Sequence, residues 1–298
     1  MSSLMTACPR CGIVELARDG TFCPNCAALL PVERPGRNPV TTQLAVAFIV
    51  WGASVALLII LQFAGVLSYA LFRYVIAGER PSLTMTTPLV LAALAGTFVA
   101  HVVTMIISWW AVTSGGKKPF WSTLGWRWHH QFKWMHAVVL AVAMLVLSFG
   151  LEKVLPHGKT ELERLLELSS SVRIAVALLA VLSAPLVEEV IYRGLLYSAI
   201  QKALDWRASV AIVTFLFAVV HIPQYWGSPG AIVAIVSLSL VLTLLRSATG
   251  QLLPCVATHF VFNGVQAVTL LVSPPRPLDP GTTEAALRFA GRWLGLDL

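Results

Sequence analysis

Seven stretches of this 298-residue chain are long, oily and almost free of charge: about Thr41–Phe72, Pro88–Thr113, Ala137–Leu151, Val172–Ile200, Ala208–Val220, Ala231–Leu245 and Leu252–Val272. A helix needs about 20 apolar residues to cross the hydrocarbon core of a bilayer. The composition agrees, with 57% hydrophobic residues, only 12% charged and a mean hydropathy of +0.78. Soluble domains carry about twice that share of charge. The expected fold is therefore all-α, a polytopic transmembrane bundle of about seven spans in a lipid bilayer. Ala208–Val220 is too short to cross alone, so a helix that stops partway and leaves a wet cavity is expected there. The first segment is long enough to hide a re-entrant turn, which would switch the side of the C-terminus.

Residues 1–30 have a different character. They hold four of the five cysteines, as CPRC (Cys8, Cys11) and CPNC (Cys23, Cys26). Two CxxC pairs suit a tetrahedral four-cysteine zinc site, each pair forming a tight knuckle of a small ribbon. Redox chemistry or disulfides are the alternatives. A module this small holds no core without its metal, so a structural Zn2+ is expected. Such thiols imply a reducing compartment and hence a cytoplasmic N-terminus. The knuckles resemble the zinc ribbons at the front of many bacterial membrane proteins, which implies a bacterial inner membrane. A Pro-rich linker, 31–40, leads to the membrane helices of 41–134. MSSLMTACPRCG lacks the features of a cleavable signal peptide, so insertion is expected to rely on the first span. Cys255 stands alone in an apolar helix and reads as a small core residue.

Between the second and third spans, GGKKPFWSTLGWRWHHQFKW sets Trp121, Trp126, Trp128 and Trp134 among basic residues, the composition of an interfacial belt. Thr160 and Glu163 in GKTELERLLELSSSV form a capping box that opens a short amphipathic helix. The tail, 276–298, carries another amphipathic pattern. Lys and Arg exceed Asp and Glu by 21 to 14, which fits loops lying on anionic lipid. No basic cluster suggests nucleic acid.

The charges that matter lie inside the oily runs. In APLVEEVIYRG, Glu189 and Arg193 stand four residues apart on a helix and face each other, so the arginine holds Glu189 ionised. Glu188 lies about 100° around the helix and lacks that partner. A carboxylate at bilayer depth is costly and ordinarily faces a cavity where it works; a general base is the role it suits. FAVVH ends in His221, and HFVFN puts His259 and Asn263 on one helical face. Counted from Lys202, Arg207 and Gly250, these groups lie about 21 Å (Glu188), about 21 Å (His221) and about 14 Å (His259) deep. In a core roughly 30 Å thick, the three can meet near mid-depth.

EEVIYR, FAVVH and HFVFN match the EExxxR, FxxxH and HxxxN motifs, and over roughly 135–275 the chain resembles the CAAX-protease and bacteriocin-processing family (CPBP, or Abi) of intramembrane endopeptidases. That resemblance implies a catalytic core in which Glu188 and His221 activate the attacking water. His259 and Asn263 would stabilise the oxyanion, with Glu189 and Arg193 as the supporting pair. The substrate would be a peptide or protein, either a membrane protein or a lipidated C-terminus. Amide hydrolysis needs a nucleophile, a proton acceptor and donors for the developing oxyanion, and these residues can supply all three. The same Glu, His and His could instead hold a catalytic Zn2+ with water as fourth ligand, although HExxH is absent. A proton-relay transporter or a non-catalytic immunity or scaffold protein are readings of another class; no internal repeat of the transporter kind is found.

Overall fold

The computed structural model describes residues 6–7, 14–15, 39–78, 85–156 and 158–272. Contacts divide the chain into two units, Met1–Thr42 and Gln43–Leu298. In the first, β1 (Thr6–Ala7) and β2 (Val14–Glu15) pair antiparallel, Thr6 opposite Glu15 and Ala7 opposite Val14. Cys8, Cys11, Cys23 and Cys26 of the expected ribbon lie outside the described residues, as do most of the expected linker and the whole amphipathic tail.

The second unit is helical. α1 (Pro39–Ala77) is one unbroken 39-residue helix with no re-entrant turn. It is followed by α2 (Thr87–Thr113), the short α3 (Phe120–Leu124) within the Trp-rich segment, α4 (Trp134–Val154) and α5 (Glu161–Glu167). The expected capping box opens α5: Glu163 N–H donates to Thr160 Oγ1 at 3.1 Å, and Thr160 N–H donates to Glu163 Oε2 at 2.9 Å. Next, α6 (Ser170–Leu178), α7 (Ala184–Glu189) and α8 (Tyr197–Ala203) form one continuous rod, joined by π-helical turns at Leu179–Ser183 and Val190–Leu196. α9 (Trp206–His221), α10 (Pro229–Thr249) and α11 (Leu253–Val272) complete the bundle.

Seven helices among the described residues are long and apolar enough to cross a membrane. The span expected to stop short is a correction. α9 starts two residues earlier than the apolar run, where the Asp205 carboxylate accepts the Ala208 N–H at 2.8 Å. A 3-10 turn, Ile222–Tyr225, continues it, giving a 20-residue span from Trp206 to Tyr225. The polar residues after His221 hid this extension.

Small side chains allow close approach, as is usual where lipid provides no hydrophobic drive between helices. A Cβ at Gly96 of α2 would overlap the Leu61 carbonyl of α1, and one at Gly65 would overlap the Ala92 carbonyl. Gln62 Nε2 donates to Thr97 Oγ1 at 2.9 Å across the same contact. Gly96→Val should therefore separate the two helices and cost about 1–3 kcal/mol. Thermal unfolding in detergent measures this, and an unchanged midpoint would show that the contact is not close.

α10 packs against α4, α9 and α11. Met144, Leu145, Leu238, Leu242 and Phe262 fill one core, with Cys255 fully buried among them. A second core gathers Ile191, Leu196, Ile200, Val213 and Phe217. The outward side chains, including Ile59, Ile60, Phe63, Val75, Ile106 and Trp110, are apolar and exposed. A continuous greasy exterior over buried polar groups suits a bilayer and is far larger than soluble proteins tolerate. This is an integral membrane protein.

Candidate functional site

The site lies where the rod of α6 to α8 meets α9, α10 and α11. Its shape begins with Pro185. In the first π turn the Ala184 N–H donates to Leu179 O, five residues back. The next residue is proline and has no N–H to give, so the Ala180 carbonyl loses its main-chain donor. Asn263 Nδ2 of α11 supplies one at 2.8 Å. One amide hydrogen of Asn263 thus ties α11 to the widened turn, and the second has no partner among the described residues.

Beyond the turn, α7 delivers Glu188 and Glu189 to opposite fates. Glu189 is fully buried, and its Oε1 accepts from Arg193 Nη1 at 2.8 Å and from His259 Nδ1 at 2.9 Å. Arg193, also fully buried, is held on every side. Its Nε donates to Thr243 Oγ1 at 3.2 Å, and its Nη2 to the Ser239 carbonyl and hydroxyl at 2.9 and 3.0 Å. Its guanidinium carbon lies 4.9 Å from the Phe217 ring centroid. The guanidinium is nearly saturated with hydrogen bonds, whereas Glu189 Oε2 is buried without a hydrogen-bond partner among the described residues. Ser239 and Thr243 were not legible as site residues, because a serine and a threonine on an apolar helix carry no signal of their own.

Glu188 makes no such bond. Its side chain is 21% exposed, and its two oxygens each face a histidine: Oε1 lies 3.8 Å from His221 Nε2, and Oε2 lies 3.8 Å from His259 Nε2. Both gaps exceed a hydrogen bond. The ring orientations are fixed from behind. His221 Nδ1 is 2.8 Å from the Phe217 carbonyl, which can only accept, so Nδ1 carries the hydrogen. The same ring stacks on Phe217, centroids 4.4 Å apart. His259 Nδ1 likewise donates to Glu189. Each imidazole therefore turns its Nε2 toward the carboxylate, and the opposite nitrogen sets the tautomer.

Glu188, Glu189, Arg193, His221 and His259 thus come together as the sequence suggests. Asn263 stands one helical turn beyond His259 and contacts the Ala180 carbonyl. Among the described residues, no group of three His, Cys, Asp or Glu side chains has the arrangement of a metal site. A further histidine, His101 of α2, went unnoticed in the sequence because it belongs to no spaced pair. It is buried, with Nδ1 2.8 Å from Ser183 Oγ in the first π turn.

Fold and site together define a polytopic membrane protein with a carboxylate and two oriented imidazoles enclosed between its helices. Residues 170–265 match the family described as Type II CAAX prenyl endopeptidase Rce1-like. That match covers the whole cluster just described and leaves α1, α2 and α4 outside it. No curated protein and no solved structure matches the chain.

Proposed function

We propose that the chain is an intramembrane endopeptidase resembling the type II CAAX proteases, which hydrolyses peptide bonds with a water activated by Glu188 and His221. The observation that carries this reading is a carboxylate without a hydrogen bond, faced at 3.8 Å on both sides by imidazole Nε2 atoms. A water off the line between Glu188 and His221 can donate one hydrogen to the carboxylate and the other to the Nε2 lone pair. Glu188 takes its proton as the water oxygen attacks the carbonyl carbon, and then passes it to the departing amine as the C–N bond breaks. His259 serves the opposite end. With a hydrogen on Nε2 as well as the Nδ1–H that Glu189 accepts, it can donate to the oxyanion, with Asn263 as second donor through its other amide hydrogen. Such preoriented donors commonly contribute the largest single share of catalysis.

The proposed substrate is a peptide or protein, with a membrane protein or a lipidated C-terminus as the candidates. The N-terminal cysteines are proposed to hold a structural Zn2+ on the cytoplasmic side of a bacterial inner membrane.

One preparation tests both peptidase activity and metal independence. Full-length protein with the four ribbon cysteines replaced, purified in detergent, should cleave a quenched lysine-flanked leucine-alanine peptide. It should also carry no tightly bound metal by mass spectrometry. Lack of cleavage would overturn the peptidase reading. Cleavage accompanied by one zinc per chain would replace the metal-free mechanism with one in which Glu188, His221 and His259 hold the ion.

A further inference from the structure

A cavity of about 450 Å3 opens between α2, α3 and α7. Its walls include Phe98, Met105 and Ile106 on one side and Leu186 and Val187 on the other. Val187 immediately precedes Glu188 in α7. Apart from two tryptophans, only His101 and Ser183 among its lining residues bear polar side chains.

Those two groups are ordered with respect to each other. Ser183 Oγ can donate to the Leu179 carbonyl at 3.1 Å. In that arrangement the oxygen accepts from His101 at 2.8 Å, with the hydrogen on Nδ1 and a free lone pair on Nε2. His101 then carries a hydrogen on Nδ1, as His221 and His259 do. Two of the three Nε2 atoms face Glu188; the third makes no hydrogen bond among the described residues.

An apolar cavity is a poor place for a stretched peptide. To be attacked, a peptide bond must leave its helix, and its neighbours' N–H groups then lose their carbonyl partners where no water replaces them. An unpartnered acceptor in an otherwise oily wall answers that need. We propose that His101 Nε2 accepts a main-chain N–H from an apolar substrate segment lying extended in this cavity, and so sets the register in which the scissile bond meets Glu188. This inference rests on the peptidase reading above.

His101→Asn separates this role from a structural one. The asparagine amide can stand where Nδ1 stood and keep the Ser183 bond, but it places no acceptor at the position of Nε2. With full-length protein and the lysine-flanked leucine-alanine peptide, KM should rise about 3- to 10-fold while kcat and the melting temperature stay near wild type. A fluorescent form of the same peptide should lose affinity by a similar factor when His101→Asn is added to Glu188→Gln. Ser183→Ala keeps the imidazole but releases its tautomer, and it should raise KM in the same direction. Unchanged KM and affinity in both variants, with cleavage still dependent on Glu188, would overturn this proposal and leave the peptidase reading standing. A fall in kcat at constant KM would also overturn it. A wild-type protein that cleaves nothing would remove both.

Discussion

Glu188→Gln should lower peptide cleavage by about 10²- to 10⁴-fold, the range a positioned general base contributes, without altering the fold. The reason is local. Glu188 is partly exposed and lies 3.8 Å from each histidine, so no short hydrogen bond is lost when its charge is removed. Glutamine has nearly the same shape and cannot take the proton of water. Cleavage rates and thermal midpoints of the purified variant check both halves. A scaffold would keep its function through this change, and full peptide cleavage by the variant would dismiss Glu188 as the base.

Arg193→Met should have the opposite profile, with loss of stability ahead of any question of chemistry. Removing one partner of a buried pair leaves the other charge uncompensated and costs about 3–5 kcal/mol. Glu189 and Arg193 are both fully buried, and the loss would also strand Ser239 and Thr243. The variant should melt far below wild type in detergent or fail to accumulate in membranes. Adding Glu189→Gln should recover much of that stability, since two neutral groups need no counter-charge. It should not recover activity, because His259 loses the carboxylate behind Nδ1. A single variant as stable as wild type would show that the pair contributes nothing to holding the bundle.

These two glutamates show how far the sequence can be read. Spacing alone distinguishes Glu189, four residues before Arg193, from Glu188, which has no partner at that interval. The spans are equally legible, because length and oiliness are properties of a segment in itself. Where the reading stopped, the missing information was three-dimensional. The extension of α9 through Ile222–Tyr225 was hidden by Pro223, Gln224 and Tyr225, which read as a loop. His101 is a single polar residue in a long apolar helix, and only the folded chain sets it against Ser183. For Asn263, the HxxxN pattern gave the position, but its partner is a main-chain carbonyl orphaned by a proline on another helix, and no motif records that.

The two widened turns in the rod from Ser170 to Ala203 have a further consequence. Each turn bonded five residues back holds one residue more than an ordinary turn, and Glu188 and Glu189 stand between two such turns. The pair is therefore phased independently of the rod's two ends, which remain packed in the bundle. Because the widened turn absorbs its extra residue, a one-residue deletion there would restore an ordinary turn and leave the acids facing nearly the same way. What such a deletion in the first turn would move is the proline-orphaned carbonyl that Asn263 reaches, so the widened turn sets that link to α11.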